Sequence, residues 1–313
     1  MGVSGINLKI AMITSGAFRS FVFVERSWKR YIFSKYPDIK LFAHVFVDNL
    51  DCPLQRDGLS RLQSMATFVE TSTQHPLNKY NTSEIPKIFH KSFWYLWYPE
   101  RKHVKGNIVD MYDRRARAFE LAVSYGRRNN FDWDLMFYHR LDSAMYSPEF
   151  DFHRLYFQIQ KSTTNPIMTP DKCGFNGGFC DRLLIGSQES LKKIFRYNFV
   201  YDTLNWVTTT NGELVERYLQ LCKKKVISEV LLMISFTKEG IVRLGLNPDV
   251  SFITLRTRTA VAYCTSSKSS YIAQSRVKHS GIMVRKMYKI CKYEYHFISN
   301  AFNSFSPQNT RLH

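Results

Sequence analysis

The stretch from Lys9 to Val47 decides the fold: residues 9–14 read KIAMIT, Ser15-Gly16 follows, residues 20–33 read SFVFVERSWKRYIF, and residues 41–47 read LFAHVFV. A short apolar run closing on Ser-Gly, an amphipathic stretch, and a second apolar run closing on Asp48-Asn49 spell strand, turn, helix, strand. Such a β-α-β unit implies parallel neighbouring strands joined by a right-handed crossover. Further along, residues 107–125 carry Ile108, Met111, Tyr112, Phe119, Ala122 and Val123 at helical spacing, with Arg114, Arg115 and Arg117 between them and Gly126 as a stop. Residues 134–142, DLMFYHRLD, alternate as a strand that sets Met136, Tyr138, Arg140 and Asp142 on one face. Further strands are expected at 166–169, 182–185 and 250–256, and helices near 58–65, 187–195 and 211–239. Strands alternating with helices give an α/β fold with a mostly parallel sheet.

Composition narrows the function classes. The chain has 313 residues, of which 44% are apolar and 22% charged, so it folds around a core and is not a disordered polymer. Its 44 Lys and Arg against 26 Asp and Glu give a net charge of +18, which favours polyanionic partners: nucleic acid, an anionic membrane or a nucleotide-linked substrate. No apolar run reaches the roughly 18 residues of a membrane span, and the N-terminus lacks a basic segment before its apolar run. A cytoplasmic protein is the expectation. The six cysteines lack CxxC pairs and read as buried thiols of a reducing compartment. A boundary is placed near residue 260, separating a domain at 1–260 from a basic C-terminal extension at 261–313. From Tyr263 onward eight Lys or Arg face one acidic residue. Residues 281–302 can be drawn as a helix with Met283, Met287 and Ile290 on one side and Arg285, Lys286, Lys289 and Lys292 on the other. That helix either packs on the domain or makes peripheral contact with an anionic membrane.

In an open α/β sheet ligands bind at the carboxyl ends of the strands, which directs attention to Thr14, Ser15, Gly16, Asp48, Asp142 and the loop 174–181. Ser15-Gly16 ahead of a helix offers backbone N–H groups to a phosphate, with Arg19 adding a guanidinium; the competing reading is an ordinary β-α turn. Asp132-Trp133-Asp134 is an Asp-x-Asp triplet, but both carboxylates precede their strand and so belong at its far end. Asp142 is the better-placed acid. It can hold Mg²⁺ or Mn²⁺ or a sugar hydroxyl, or it can simply pair with Arg140.

Three blocks resemble the GT-A-type glycosyltransferases of the group found in plants, algae and large algal DNA viruses. They are Lys9 to Arg19; the stretch from Asn107 to Pro148 with its FDWDLMFYHRLDSAMYSP; and NGGFCDRLLIGSQESLKKIF, followed later by Glu229-Val-Leu-Leu232. The resemblance implies the GT-A fold, a Rossmann-like α/β/α sandwich, and transfer of a sugar from a nucleotide-diphosphate donor, UDP favoured, to a glycan or glycoprotein hydroxyl. Arg19 and one of Arg114 or Arg115 would then face the diphosphate, and Asp48 the nucleoside. A Mn²⁺ or Mg²⁺ ion on Asp142 would assist, and Gly177-Gly178 would let backbone approach the acceptor side. Where the common signature has Asp-x-Asp, this chain has Arg140-Leu-Asp142.

An inverting transfer needs one base for the acceptor hydroxyl. Asp181, after the glycine loop, is the first choice and Glu229 the second; for Asp181 the alternative is a salt bridge to a neighbouring arginine. Nucleic-acid binding through the basic surface is the competing function, although no zinc-finger, RNP or helix-turn-helix pattern accompanies the charge.

Overall fold

The computed structural model describes residues 7–17, 21–47, 53–72, 85–90, 104–146, 151–162, 164–170, 178–224, 226–246 and 251–254. Arg19, Asp48, Gly177 and the whole extension 261–313, with its expected helix, lie outside the described residues.

The opening β-α-β unit is present: β1 (Ile10–Ala17), α1 (Phe21–Trp28) and β2 (Lys40–Phe46), with β1 and β2 parallel. β1 runs three residues beyond the expected end, so Ser15-Gly16 lies in the strand, not in a turn after it. Gly16 there adopts a φ of +137°, open to glycine and rarely to other residues. α2 (Pro53–Met65) leads to β3 (Phe68–Ser72), which adds to β2 in parallel.

The long helix α3 (Val104–Arg128) then crosses to β4 (Leu135–His139), parallel to β1 on its other side. Gly126 is no C-cap, because the helix continues through it. A Cβ there would lie 2.8 Å from the Phe131 carbonyl oxygen, so the glycine permits close packing of the chain after the helix.

After β5 (Ser143–Tyr146) and α4 (Phe152–Gln160) come β6 (Pro166–Thr169), β7 (Leu183–Gly186) and α5 (Gln188–Lys192), capped by Ser187. The expected single helix over 211–239 is two, α7 (Glu213–Lys224) and α8 (Ser228–Glu239), and α6 (Phe199–Thr209) precedes them. β8 (Val242–Gly245) and β9 (Ser251–Thr254) follow, and β9 pairs antiparallel with β5.

The main sheet has seven strands in the order β3-β2-β1-β4-β7-β6-β8. All its pairings are parallel except those of β7, which runs antiparallel to both neighbours. Alternation along the central strands feeds two cores. Ala11, Ile13, Phe42, Met136, Tyr138 and Leu184 pack against α3, α6, α7 and α8 on one face. Ile10, Met12, Leu41, Leu135, Phe137 and Leu183 pack against α1, α2 and α4 on the other. Side chains of successive strand residues point to opposite faces, so burying both faces requires apolar runs of the kind in KIAMIT and LMFYH. The result is an α/β/α sandwich with a mostly parallel sheet, as expected. Among the described residues no helix is long and apolar enough to cross a membrane.

Candidate active site

The strand order places a switch point between β1 and β4: from β1 the chain moves outward through β2 and β3, then returns to add β4 on the opposite side. Carboxyl ends of strands at such a point form the crevice where open sheets bind ligands. Because β7 is antiparallel to β4, its amino end lies at the same edge; His139 pairs with Leu183, and the Arg140 N–H donates to the Arg182 carbonyl at 3.0 Å on the next rung. Arg140, Asp142, Asp181 and Arg182 therefore meet at one edge by strand geometry alone.

Asp181 is at the centre and is 1% exposed. Its Oδ2 accepts from Arg115 Nη2 at 2.8 Å and from the Ser228 hydroxyl at 2.7 Å, while Arg140 Nη1 lies 3.5 Å from Oδ1. Burial alone would raise this carboxyl, but Arg140 and then Arg115 outweigh it and hold Asp181 well below the usual carboxylate range. A carboxylate so firmly charged and enclosed is a poor proton acceptor. The salt-bridge reading of Asp181 is the one that the geometry supports, and the first-choice base is corrected accordingly.

Arg115 is fully buried, with its guanidinium between the Tyr112 ring at 4.7 Å and the Tyr138 ring at 4.6 Å. Arg114 is also buried; Nε donates to Asp110 at 2.9 Å, Nη1 donates to Ser72 at 2.5 Å, and the group covers the Phe46 ring. Neither guanidinium is open to a ligand: Arg114 braces α3 against Phe46 of β2 and Ser72 of β3, and Arg115 braces it against Asp181.

Arg140 and Asp142 form a two-pronged pair, Nε to Oδ1 at 2.9 Å and Nη2 to Oδ2 at 2.7 Å. Both side chains stay over a quarter exposed, at 28% and 27%, so the pair faces the open edge. Both Asp142 oxygens, the donors a Mn²⁺ or Mg²⁺ ion would use, are thus engaged by a guanidinium. Among the described residues no three His, Cys, Asp or Glu side chains gather as a metal-ligating group. A divalent cation at Asp142 would sit against the Arg140 charge, so these residues do not fit the metal expected there. The acids of the Asp-x-Asp triplet lie at the other end of β4, as expected: Asp134 accepts from the Lys9 N–H at 2.7 Å and Asp132 from Gln188.

Glu229, in the first turn of α8, is the opposite of Asp181. Its carboxyl makes no ion pair with a described residue; burial first, and then the Asp181 charge, push it up to about 7. Such a group exchanges a proton near neutral pH. α8 is held at this point by backbone: the Phe179 N–H donates to the Glu229 carbonyl at 3.0 Å, and a Cβ on Gly178 would lie 2.4 Å from the Glu229 carbonyl carbon. Gly178 does permit close backbone approach, but to α8. Tyr112 closes the inner side, its hydroxyl 3.0 Å from the Ser228 carbonyl.

Of the β1 residues, Thr14 is buried and its hydroxyl donates to the His139 carbonyl at 2.8 Å, so it ties β1 to β4 and is closed to ligand. Ser15 is buried, and its hydroxyl has no partner among the described residues. Gly16 borders open space. Cys180, beside Asp181, is disulfide-bonded and not the thiol expected; its partner lies outside the described residues. Sequence reasoning assigned no role to Ser228, Arg182, Tyr112 or Tyr138. For Arg115 a signal was present, since it sits three residues after Tyr112 and four before Phe119, on the apolar stripe of α3.

No family model and no curated protein matches the chain. Among solved structures, the chain is similar to mouse xyloside xylosyltransferase 1 in its apo form, at 7% identity and a TM-score of 0.41, over 76% of this chain and 85% of that one. It is also similar to core-mannan synthase A from Aspergillus fumigatus in its Mn/GDP form, at 10% identity and a TM-score of 0.39, over 82% of this chain and 77% of that one. An active-site mutant of LgtC aligns at 9% identity and a TM-score of 0.41, over 84% of this chain and 94% of that one.

Proposed function

We propose that the chain is a GT-A-type glycosyltransferase that uses a nucleotide-diphosphate sugar, with a UDP-sugar favoured, and a glycan or glycoprotein hydroxyl as acceptor. The observation that carries this reading is Glu229: a carboxyl pushed up to about 7 by burial, and then by the Asp181 charge, close to the partly buried guanidinium of Arg140 at the switch point of the sheet. Transfer to a hydroxyl requires a group that takes a proton near neutral pH and cations that meet the charge growing on the departing diphosphate. Both are present here within one cluster. The three sequence blocks support the same reading and are the basis for placing the chain with the plant, algal and viral group.

In an inverting course Glu229 accepts the acceptor hydroxyl's proton as the oxygen attacks the anomeric carbon, while the bond to the diphosphate breaks on the opposite face. Asp181 does not take the proton. It fixes Arg115, Ser228 and one side of Arg140, and its charge keeps the Glu229 proton affinity high. Asp142 holds the Arg140 fork in a single orientation, which lowers the cost of ordering it on a ligand. Thr14 fixes the spacing of β1 and β4, between whose ends the donor would lie.

Thermal melting with UDP-, GDP- and CMP-sugars and with a short single-stranded oligonucleotide tests the proposal. Ligand at about 100 times its Kd stabilises the native state by roughly 2.7 kcal/mol. One nucleotide-sugar class is expected to raise Tm. Stabilisation by the oligonucleotide alone, lost on adding salt, would replace this reading with nucleic-acid binding.

A further inference from the structure

Among the described residues, the direct ion pairs of the cluster leave Arg182 without a carboxylate of its own, the Asp181, Asp142 and Glu229 charges acting on it only from beyond contact. Asp142 is taken by Arg140 through both oxygens, and Asp181 by Arg115 and Ser228 with Arg140 behind them. Arg182 makes no side-chain hydrogen bond or ion pair with a described residue. It follows Asp181 directly, is partly buried, and shares a ladder rung with Arg140. Neighbouring strands lie about 4.8 Å apart, so two guanidinium groups leave the sheet side by side at its ligand edge. Burial first, and then the Arg140 charge, draw Arg182 below the ordinary arginine value, against the opposing pull of Asp181, Asp142 and Glu229. Two adjacent like charges are unfavourable until an anion lies between them, and a diphosphate offers several oxygens to such a pair of forks.

We infer that Arg182, beside the Arg140–Asp142 pair, binds the diphosphate of the donor and fills the place of the divalent cation that Asp142 is not free to hold. The inference rests on the transferase reading above and goes beyond it by naming the cation. Arg140 is already neutralised and oriented by Asp142, whereas Arg182 has no side-chain hydrogen bond or ion pair with a described residue to hold it away from the ligand. A metal ion would first have to displace Arg140 from Asp142 and then sit against it. Binding of the nucleotide therefore needs no metal, and it is lost when the Arg182 charge is removed.

Calorimetric titration of the full chain with UDP and with GDP, each in EDTA and again in Mn²⁺, tests this in wild type, Arg182→Gln and Arg182→Lys. Uridine and guanosine serve as probes without phosphate. One of the two nucleotides is expected to bind equally in EDTA and in Mn²⁺. Arg182→Gln should weaken it about ten- to a hundredfold, the range of a lost hydrogen bond to a charged group. Arg182→Lys should restore part of the affinity, and the matching nucleoside should bind all three proteins alike. Binding by wild type that requires Mn²⁺, or equal affinity of wild type and Arg182→Gln in EDTA, would overturn the inference and leave the transferase reading standing. Failure of wild type to bind either nucleotide in either buffer would overturn the inference, and with no response to any nucleotide sugar in the melting panel it would remove the transferase reading as well. The EDTA and Mn²⁺ comparison uses wild type alone, so a requirement for Mn²⁺ would overturn the inference even if a variant misfolds.

Discussion

Asp181 and Glu229 lie within one electrostatic cluster and are moved in opposite directions by it. Asp181 is buried and Glu229 half-buried, and burial raises any carboxyl; the difference is that Asp181 touches three partners and Glu229 faces the Asp181 charge. Asp181→Asn removes the charge that compensates buried Arg115, so it is expected to cost about 3–5 kcal/mol of stability. A variant that melts like wild type would contradict the structural role assigned here. Glu229 has the reverse sign. Its folded value lies above its unfolded one, so the folded state holds the proton to higher pH, and stability falls as pH rises through about 7. Glu229→Gln should match wild type in Tm near pH 4, below the ordinary carboxyl value, where Glu229 is protonated in both the folded and the unfolded chain, and exceed it near pH 8. The sequence marks both residues as acids close to glycine or helix signals, but the order read from it, Asp181 first because it follows the glycine loop, is not the order of the structure. The ranking comes from Arg115, which α3 brings to Asp181 from 66 positions away.

At the level of elements, what could be read from the sequence was what repeats locally. KIAMIT, LFAHVFV and LMFYH are short apolar runs, and each forms a strand buried on both faces. The antiparallel course of β7 and the pairing of β5 with β9 are long-range outcomes with no local pattern. The division of 211–239 was missed because no glycine or proline separates α7 from α8 to mark a helix end. Glycines were misread as well. Gly126 stands near the end of the α3 pattern and resembles a stop, yet its use is to admit the Phe131 carbonyl. Gly178 resembles a ligand-loop glycine, but its missing side chain is what seats the 178–180 segment on α8. Gly178→Ala is therefore expected to lose about 1–3 kcal/mol by overpacking and to shift α8 at Glu229. Chemical denaturation combined with the pH dependence of turnover checks both effects. Unchanged stability would show that the segment yields easily and does not position Glu229.

For the whole molecule, the net charge of +18 was the strongest compositional signal and the least specific one. The site uses only a few of the 44 basic residues, and of those Arg114 and Arg115 are buried supports. What the fold contributes is convergence. The antiparallel β7 brings Asp181 and Arg182 to the edge where parallel β4 ends in Arg140 and Asp142, and α8 adds Glu229. The central claim, that Glu229 is the base of a glycosyl transfer, is tested most directly by release of nucleoside diphosphate from a panel of nucleotide sugars, with water standing in for the acceptor hydroxyl. Wild type should release one nucleoside diphosphate class at a rate that rises with pH through about 7. Glu229→Gln should be slower by about a hundredfold or more and lose that pH dependence. A Glu229→Gln protein that releases nucleoside diphosphate at the wild-type rate, with the wild-type pH profile, would contradict the account.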